Sequence, residues 1–200
     1  MDKLTRQDLW SLEEYAQQRD GFRRQVLEHK KDLQLTLGEH LRLLFEDRLT
    51  IQYQIQEMLR IERVFEPDAI QEELDAYNPL IPDGRNWKAT LLLEYPNVEE
   101  RRDALASLVG MEHRIWLAIG DLPKVYAVAD EDLERSDEEK TSSVHFLRWE
   151  LSDAMLAASR VPDVTIRFGC DHPALPIESP PLTSGQRAAL LACLDQPRPH

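Results

Sequence analysis

The segment from Glu39 to Arg63 constrains the fold most, because it has the pattern of one long helix that carries charge among its apolar side chains. At about 100° per residue, one face collects the apolar residues Leu41, Leu44, Ile51, Ile55, Met58 and Leu59. Glu62 projects into this face, and Arg48 lies close to it in angle. A carboxylate in such a place costs several kcal/mol unless it is paired, protonated or bound to a metal. We therefore expect the chemistry of the protein to gather on this helix.

A polar file runs along the opposite side of the same predicted helix. It consists of Glu46, Thr50, Tyr53 and Glu57. Because these residues recur at helical spacing, they form a stripe that a partner protein can contact. We expect Glu46 and Tyr53 to be interaction residues.

The remaining pattern predicts an α+β fold in which N-terminal long helices pack against a mixed sheet of about four or five strands. The predicted strands are 87–95, 114–119, 125–129, 143–151 and 164–168. A capping box of Thr183 and Gln186 opens a C-terminal helix. We expect a single domain over 1–195, with a helical half at 5–76, a sheet-rich half at 87–195 and a disordered tail at 196–200.

Charge limits the partners that such a protein can have. The chain has 37 acidic and 24 basic side chains and a net charge of -13, which disfavours phosphate backbones and anionic membranes. It has no apolar signal core at the N-terminus and no apolar run that could span a bilayer. Its two cysteines, Cys170 and Cys193, stand apart without zinc-site spacing. We expect a cytoplasmic protein with a protein partner, no nucleic acid and no membrane; a homo-oligomer is compatible with the sequence.

Several enzyme classes are disfavoured by motifs that the sequence lacks. It contains no GxGxxG, no phosphate-binding loop of the GxxxxGK[ST] type, no GxSxG and no HExxH. It also lacks the Glu-x-x-His pairs of ferritin-like di-iron proteins. A recognised catalytic constellation is therefore missing.

Metal-site candidates remain on different predicted elements. Because Glu46 and Glu57 are roughly 16 Å apart along one helix, they cannot share a metal. A site would instead combine Glu57 or Glu62 with His145 or His172 from the sheet half, and such donors suit iron, manganese or zinc. The structural alternative pairs the two glutamates with arginines and makes His145 a packed sheet histidine.

The blocks LGEHLRLLFEDRLTIQYQIQEMLRIE at 37–62, SSVHFLRWEL at 142–151 and FGCDHP at 168–173 carry a resemblance. Through them, nearly the whole chain resembles the bacterial domain-of-unknown-function family numbered thirty-five hundred and one. The resemblance implies a single cytoplasmic domain, often encoded near rubrerythrin-like and iron–sulfur proteins, and implies no established activity. Where family members tend to have a hydroxyl residue or a proline near the helix start, this chain has Glu39 and Arg42.

Two functions follow as hypotheses. The missing catalytic constellation favours an accessory or partner-binding protein of a redox or peroxide-defence system, which uses the acidic surface and the polar file as its contact. The alternative is a metal-dependent enzyme with a glutamate and histidine site between the long helix and the sheet. The sequence leaves open whether the protein is an enzyme.

Overall fold

Two antiparallel sheets form the frame of the protein in a computed structural model, which describes residues 2–194. The strands are β1 (Gln34–Leu37), β2 (Leu41–Phe45), β3 (Asn86–Leu93), β4 (Ile115–Ile119), β5 (Val125–Tyr126), β6 (Val128–Ala129), β7 (Val144–Glu150), β8 (Ile166–His172) and β9 (Leu175–Glu178). One sheet has the order β1-β2-β3-β7-β6, and the other has the order β5-β4-β8-β9. The predicted tail at 196–200 lies outside the described residues.

The helices lie before, between and after the strands in the chain. They are α1 (Leu12–His29), α2 (Arg48–Glu62), α3 (Pro67–Tyr77), α4 (Val98–Ser107), α5 (Asp153–Ser159) and α6 (Ser184–Leu194). Short 3-10 helices span Arg6–Asp8, Asn78–Leu80 and Met111–Arg114. The α+β class and the C-terminal helix are confirmed, whereas the strands predicted for one mixed sheet form two antiparallel sheets.

The predicted helix from Glu39 to Arg63 is wrong in its first part, which is strand β2. Residues 41, 43 and 45 are buried and alternate with half-buried neighbours, and β2 pairs with β3 along its whole length. The helix begins only after Asp47, whose carboxylate accepts a hydrogen bond from the Thr50 amide at 2.9 Å. The Thr50 hydroxyl in turn accepts one from the Asp47 amide at 3.0 Å, which completes a capping box.

The prediction that Glu62 lies among buried apolar side chains is wrong, because the buried part of α2 ends at Leu59. The buried side of this helix consists of Thr50, Ile51, Ile55, Gln56 and Leu59. Glu62, in the last turn, is exposed, so it needs no buried partner. Arg48 pairs instead with Asp8. Strands β1 and β2 fall within 5–76, the predicted helical half, and join the five-stranded sheet.

The core lies between the two sheets. Phe168 of β8 contacts the aromatic rings of Phe45, Trp87 and Trp149 on the facing sheet, with ring centroids 5.1 to 6.1 Å apart. Trp87 Nε1 also donates to the Leu190 carbonyl of α6 at 2.8 Å. We call this side of the five-stranded sheet its inner face.

The opposite, outer face of the five-stranded sheet carries the alternate side chains. Lys88 and Thr90 of β3 lie opposite Arg148 and Phe146 of β7 in the strand register. These residues are all half-buried.

Among the described residues, no helix has both the length and the apolar composition of a membrane span.

Replacing Ile55 with aspartate should unfold the protein, since Ile55 is completely buried in α2 and an unpaired charge cannot be solvated there. We expect a loss of about 4 kcal/mol or more in the free energy of unfolding, measured by denaturant titration. Ile61→Asp is the matched control, because Ile61 lies in the same helix but is 63% exposed. Equal stability of the two variants would contradict the observed orientation of α2.

Candidate functional site

A cavity of about 550 Å³ lies on the outer face of the five-stranded sheet, and we call it the sheet cavity. Its apolar lining comes from Ala76, Tyr77, Pro79, Leu80, Ala89, Phe146 and Leu147. Its charged lining comes from Glu46, Asp75, Lys88, Glu131, Asp132 and Arg148. An apolar pocket of this size with a few converging polar groups is typical of a binding site.

Glu46 is the most deeply buried charged side chain of the sheet cavity, with only 4% of its surface exposed. Its Oε2 atom accepts hydrogen bonds from Thr50 Oγ1 at 2.6 Å and Gln54 Nε2 at 3.0 Å. Its Oε1 atom accepts one from Thr90 Oγ1 at 2.9 Å. All three donors are neutral, so these hydrogen bonds solvate the carboxylate without neutralising it.

Lys88 of β3 contacts the segment that connects α3 to β3. Its Nζ donates to the carbonyls of Pro79 at 2.5 Å and Ile81 at 3.2 Å. Burial lowers the pKa of Lys88, because the charged ammonium is partly removed from water. The two carbonyls therefore hold this ammonium to the connection.

Arg148 is the other cation of the cavity, and its donors are also engaged. Its guanidinium forms two 2.8 Å hydrogen bonds to Glu131 and one of 2.8 Å to Glu150. These hydrogen bonds from Arg148 hold the pKa of Glu131 below its usual range. Such a bidentate pair fixes the position of Glu131 in the cavity wall.

A second cavity, of about 860 Å³, adjoins the first. The two share Pro79, Lys88, Glu131 and Arg148, so they extend the binding surface along the sheet. The second cavity adds the carboxylates of Asp2, Asp83 and Glu150 and the amine of Lys3. The combined lining has seven carboxylates and three cations and is therefore acidic.

A buried polar network supports the loop that carries Glu131 and Asp132. His145 is completely buried, and its Nδ1 lies 2.6 Å from Asp130 Oδ2. Its Nε2 lies 2.8 Å from Thr141 Oγ1 and 3.1 Å from the Ser142 carbonyl oxygen. These contacts hold the buried ring between Asp130, Thr141 and Ser142.

The same network continues to a second carboxylate and to the cavity wall. Thr141 Oγ1 donates to the buried carboxylate of Glu112 at 3.1 Å. Arg135 pairs with Asp130 at 3.2 Å, and its guanidinium lies 4.5 Å from the centre of the Phe146 ring. The loop after β6 is thus fixed from both ends beside the sheet cavity.

Glu57, predicted as a metal ligand, is engaged by side chains of the two long helices. Arg19 Nε and Nη2 donate to its two oxygens at 2.7 and 2.9 Å, and Tyr15 donates at 2.7 Å. The hydrogen bonds from Arg19 lower the pKa of Glu57 to about 2. Arg60 adds a fourth hydrogen bond at 3.2 Å. The alternative of an arginine-paired Glu57 is therefore what the structure shows.

The other predicted site residues lie in separate surroundings. Glu62 is exposed and lies near Glu73 and Tyr77. His172 is half-buried at the end of β8, where its Nδ1 accepts from the Ala174 amide at 3.3 Å. Each predicted glutamate and histidine thus has a different set of neighbours.

Tyr53 is half-buried, and its ring lies 5.9 Å from that of Phe22 in the contact between α1 and α2. Within residues 2–194, no three His, Cys, Asp or Glu side chains form a group that could hold a metal ion. Both cysteines are buried.

The sequence analysis missed Lys88, Phe146 and Arg148 as cavity residues. The signal that could have indicated them is the alternation along 87–95 and 143–151, which places Lys88 on one face of its strand and Phe146 with Arg148 on one face of the other. Neither segment contains a local signal that predicts the pairing of the two strands.

The comparisons with known proteins agree with this fold. A family model with the description "Protein of unknown function (DUF3501)" matches residues 3–194. A crystal structure of a novel protein of unknown function from Burkholderia pseudomallei K96243 is similar to the chain, with 52% sequence identity and a TM-score of 0.91. The match covers 97% of this chain and 100% of that one. None of the curated proteins compared with the chain matches it.

Replacing Glu57 with glutamine should lower the free energy of unfolding by up to about 3 kcal/mol at neutral pH, because the lowered pKa reports that folding stabilises the charged carboxylate. This contribution is fully present above a pH of about 4.5 and is lost as the pH falls towards 2. Denaturant titrations between these values should therefore show the variant and the wild type converging. Glu62→Gln, an exposed position of the same helix, should have little effect at any pH. A difference between Glu57→Gln and the wild type that stays constant with pH would contradict the assignment.

Proposed function

We propose that this chain, which belongs to the DUF3501 family of proteins of unknown function, is an accessory protein that binds a segment of a partner protein in the sheet cavity. The observation that carries the proposal is the cavity itself, which has an apolar floor that includes Leu80 and Phe146 and an acidic rim. A side chain of a docked segment can bury its apolar surface there.

Binding through this cavity is supported by the rigidity of its walls. The Glu131 wall is held by Arg148, and the α3–β3 wall is held by Lys88 through two carbonyls. A preorganised site loses less conformational entropy when a ligand binds. We therefore expect binding without a large rearrangement of the sheet.

The setting of this function is also part of the proposal. The acidic net charge of -13 favours a protein partner over a nucleic acid. The family resemblance suggests a redox or peroxide-defence system, and the two isolated cysteines fit a cytoplasmic location. A second copy of this chain is another source of the segment that binds in the sheet cavity.

The alternative, a metal-dependent enzyme, has less support. Glu57 would have to release Arg19, Tyr15 and Arg60 before it could bind a metal. His145 would have to leave both Asp130 and Thr141. The partner-binding function requires neither change.

A filled cavity should abolish segment binding. Ala76 is exposed on α3 and lines the cavity, so Ala76→Phe places a ring in it without altering the core. The probes are capped pentapeptides Gly-Leu-X-Leu-Gly, in which X is norleucine, lysine or glutamate. We expect at least one of them to bind the wild type saturably and to shift the amide NMR signals of Leu80 and Phe146, and the variant to bind it at least about tenfold more weakly.

The matched control is Ala106→Phe, the same change at an exposed alanine of α4 outside the cavity. This control should keep the affinity of the wild type. Failure of every peptide to bind, or equal binding by both phenylalanine variants, would contradict the proposed function.

A further inference from the structure

The carboxylate of Glu46 is the feature of the sheet cavity that its known contacts do not explain. It is 4% exposed, and among the described residues its side-chain hydrogen-bond partners are two hydroxyls and one amide. A buried carboxylate is stable when it is paired with a cation, and hydrogen bonds from neutral groups leave its charge in place. The cavity therefore offers a negative charge to whatever enters it.

The two cations of the cavity are committed elsewhere. The Lys88 ammonium is held by the Pro79 and Ile81 carbonyls. The Arg148 guanidinium is held by Glu131 and Glu150. Neither forms an ion pair with Glu46. A cation of the ligand therefore does not have to displace Lys88 or Arg148 from the Glu46 carboxylate.

We infer that the sheet cavity takes a lysine side chain of the partner segment, whose ammonium pairs with Glu46; this inference rests on the proposed function. The methylene stem of a lysine matches the apolar lining of Leu80 and Phe146. Long cationic side chains commonly bury their stems in this way while the charged end finds a polar partner.

The hydrogen bonds of Glu46 favour lysine over arginine. A carboxylate has about four lone-pair positions, and Thr50 and Gln54 occupy those of Oε2 while Thr90 occupies one of Oε1. One position of Oε1 is left. A compact ammonium needs one acceptor, whereas a guanidinium reaches its full strength through two parallel hydrogen bonds.

The acidic rim favours the same ligand before it enters. Asp75, Glu131 and Asp132 surround the opening, and although Arg148 and Arg135 pair with the last two, the combined lining stays negative. A negative cavity mouth raises the local concentration of cationic side chains. Binding should therefore weaken with increasing salt.

The decisive comparison uses the lysine and norleucine forms of the pentapeptide Gly-Leu-X-Leu-Gly, since the two differ only in the ammonium group. The lysine form should bind the wild type roughly tenfold or more tightly, which corresponds to one buried charge-assisted hydrogen bond. The arginine form should bind more weakly than the lysine form. Isothermal titration calorimetry measures all three.

Glu46→Gln tests the residue, because glutamine keeps the shape and an acceptor but removes the charge. The lysine peptide should fall to the affinity of the norleucine peptide, and the norleucine peptide should be unaffected. Glu178→Gln removes a carboxylate from β9 and should leave both affinities unchanged, which controls for net charge. The peptide comparison on the wild type remains decisive even where Glu46→Gln lowers the stability of the fold.

The outcomes separate this inference from the proposed function. Equal binding of the lysine and norleucine peptides would overturn the inference and leave the proposed function standing. A lysine preference that survives Glu46→Gln would also overturn it, as would cadaverine competing at the affinity of the peptide, because the ligand would then be a free amine. Binding by no peptide would remove the proposed function and the inference together.

Discussion

The carboxylate of Glu46 joins the end of β2 to the first turns of α2 and to the neighbouring strand β3. Its hydrogen bonds to Thr50 and Gln54 lie along the helix, and its hydrogen bond to Thr90 lies across the sheet. Since a buried charge left without these donors would be strongly destabilising, the three contacts have to form together. The direction in which α2 leaves the sheet therefore depends on this residue, and the same residue supplies the charge of the sheet cavity.

Several elements were predicted correctly from local sequence signals. The strand at 87–95 and the strand at 143–151 correspond to β3 and β7. The capping box of Thr183 and Gln186 opens α6 through the two hydrogen bonds that such a box requires. In these segments the pattern and the tertiary contacts favour the same structure.

The start of α2 was missed because two patterns overlap there. Leu41 and Leu44 fit a helical face together with Ile51, but Leu41, Leu43 and Phe45 also fit a strand of period 2. The pairing of β2 with β3, far away in the chain, decides for the strand. Glu62 was misplaced for another reason: it keeps its angle on the helix but is the last residue of α2, beyond Leu59, where the side chain is exposed.

The site was predictable only in fragments. The alternative of a packed sheet histidine fits His145, which alternation puts on one strand face with Leu147 and Trp149, and all three are buried. Its partner Asp130 has a positive φ of 53°. No signal in the sequence predicts this backbone conformation. Glu46 was singled out as an interaction residue, yet the residues that make it part of a cavity, such as Leu80 and Phe146, come from segments with no local sign of proximity.

The central claim is that the charge of Glu46 is completed by a lysine of a partner. The most direct measurement is a crystal structure of the protein with the lysine pentapeptide bound. The account predicts that the peptide ammonium lies about 3 Å from Glu46 Oε1, with its stem against Phe146 and Leu80. A peptide bound with its ammonium at Glu131 or Asp132, or bound outside the sheet cavity with Glu46 uncontacted, would contradict it.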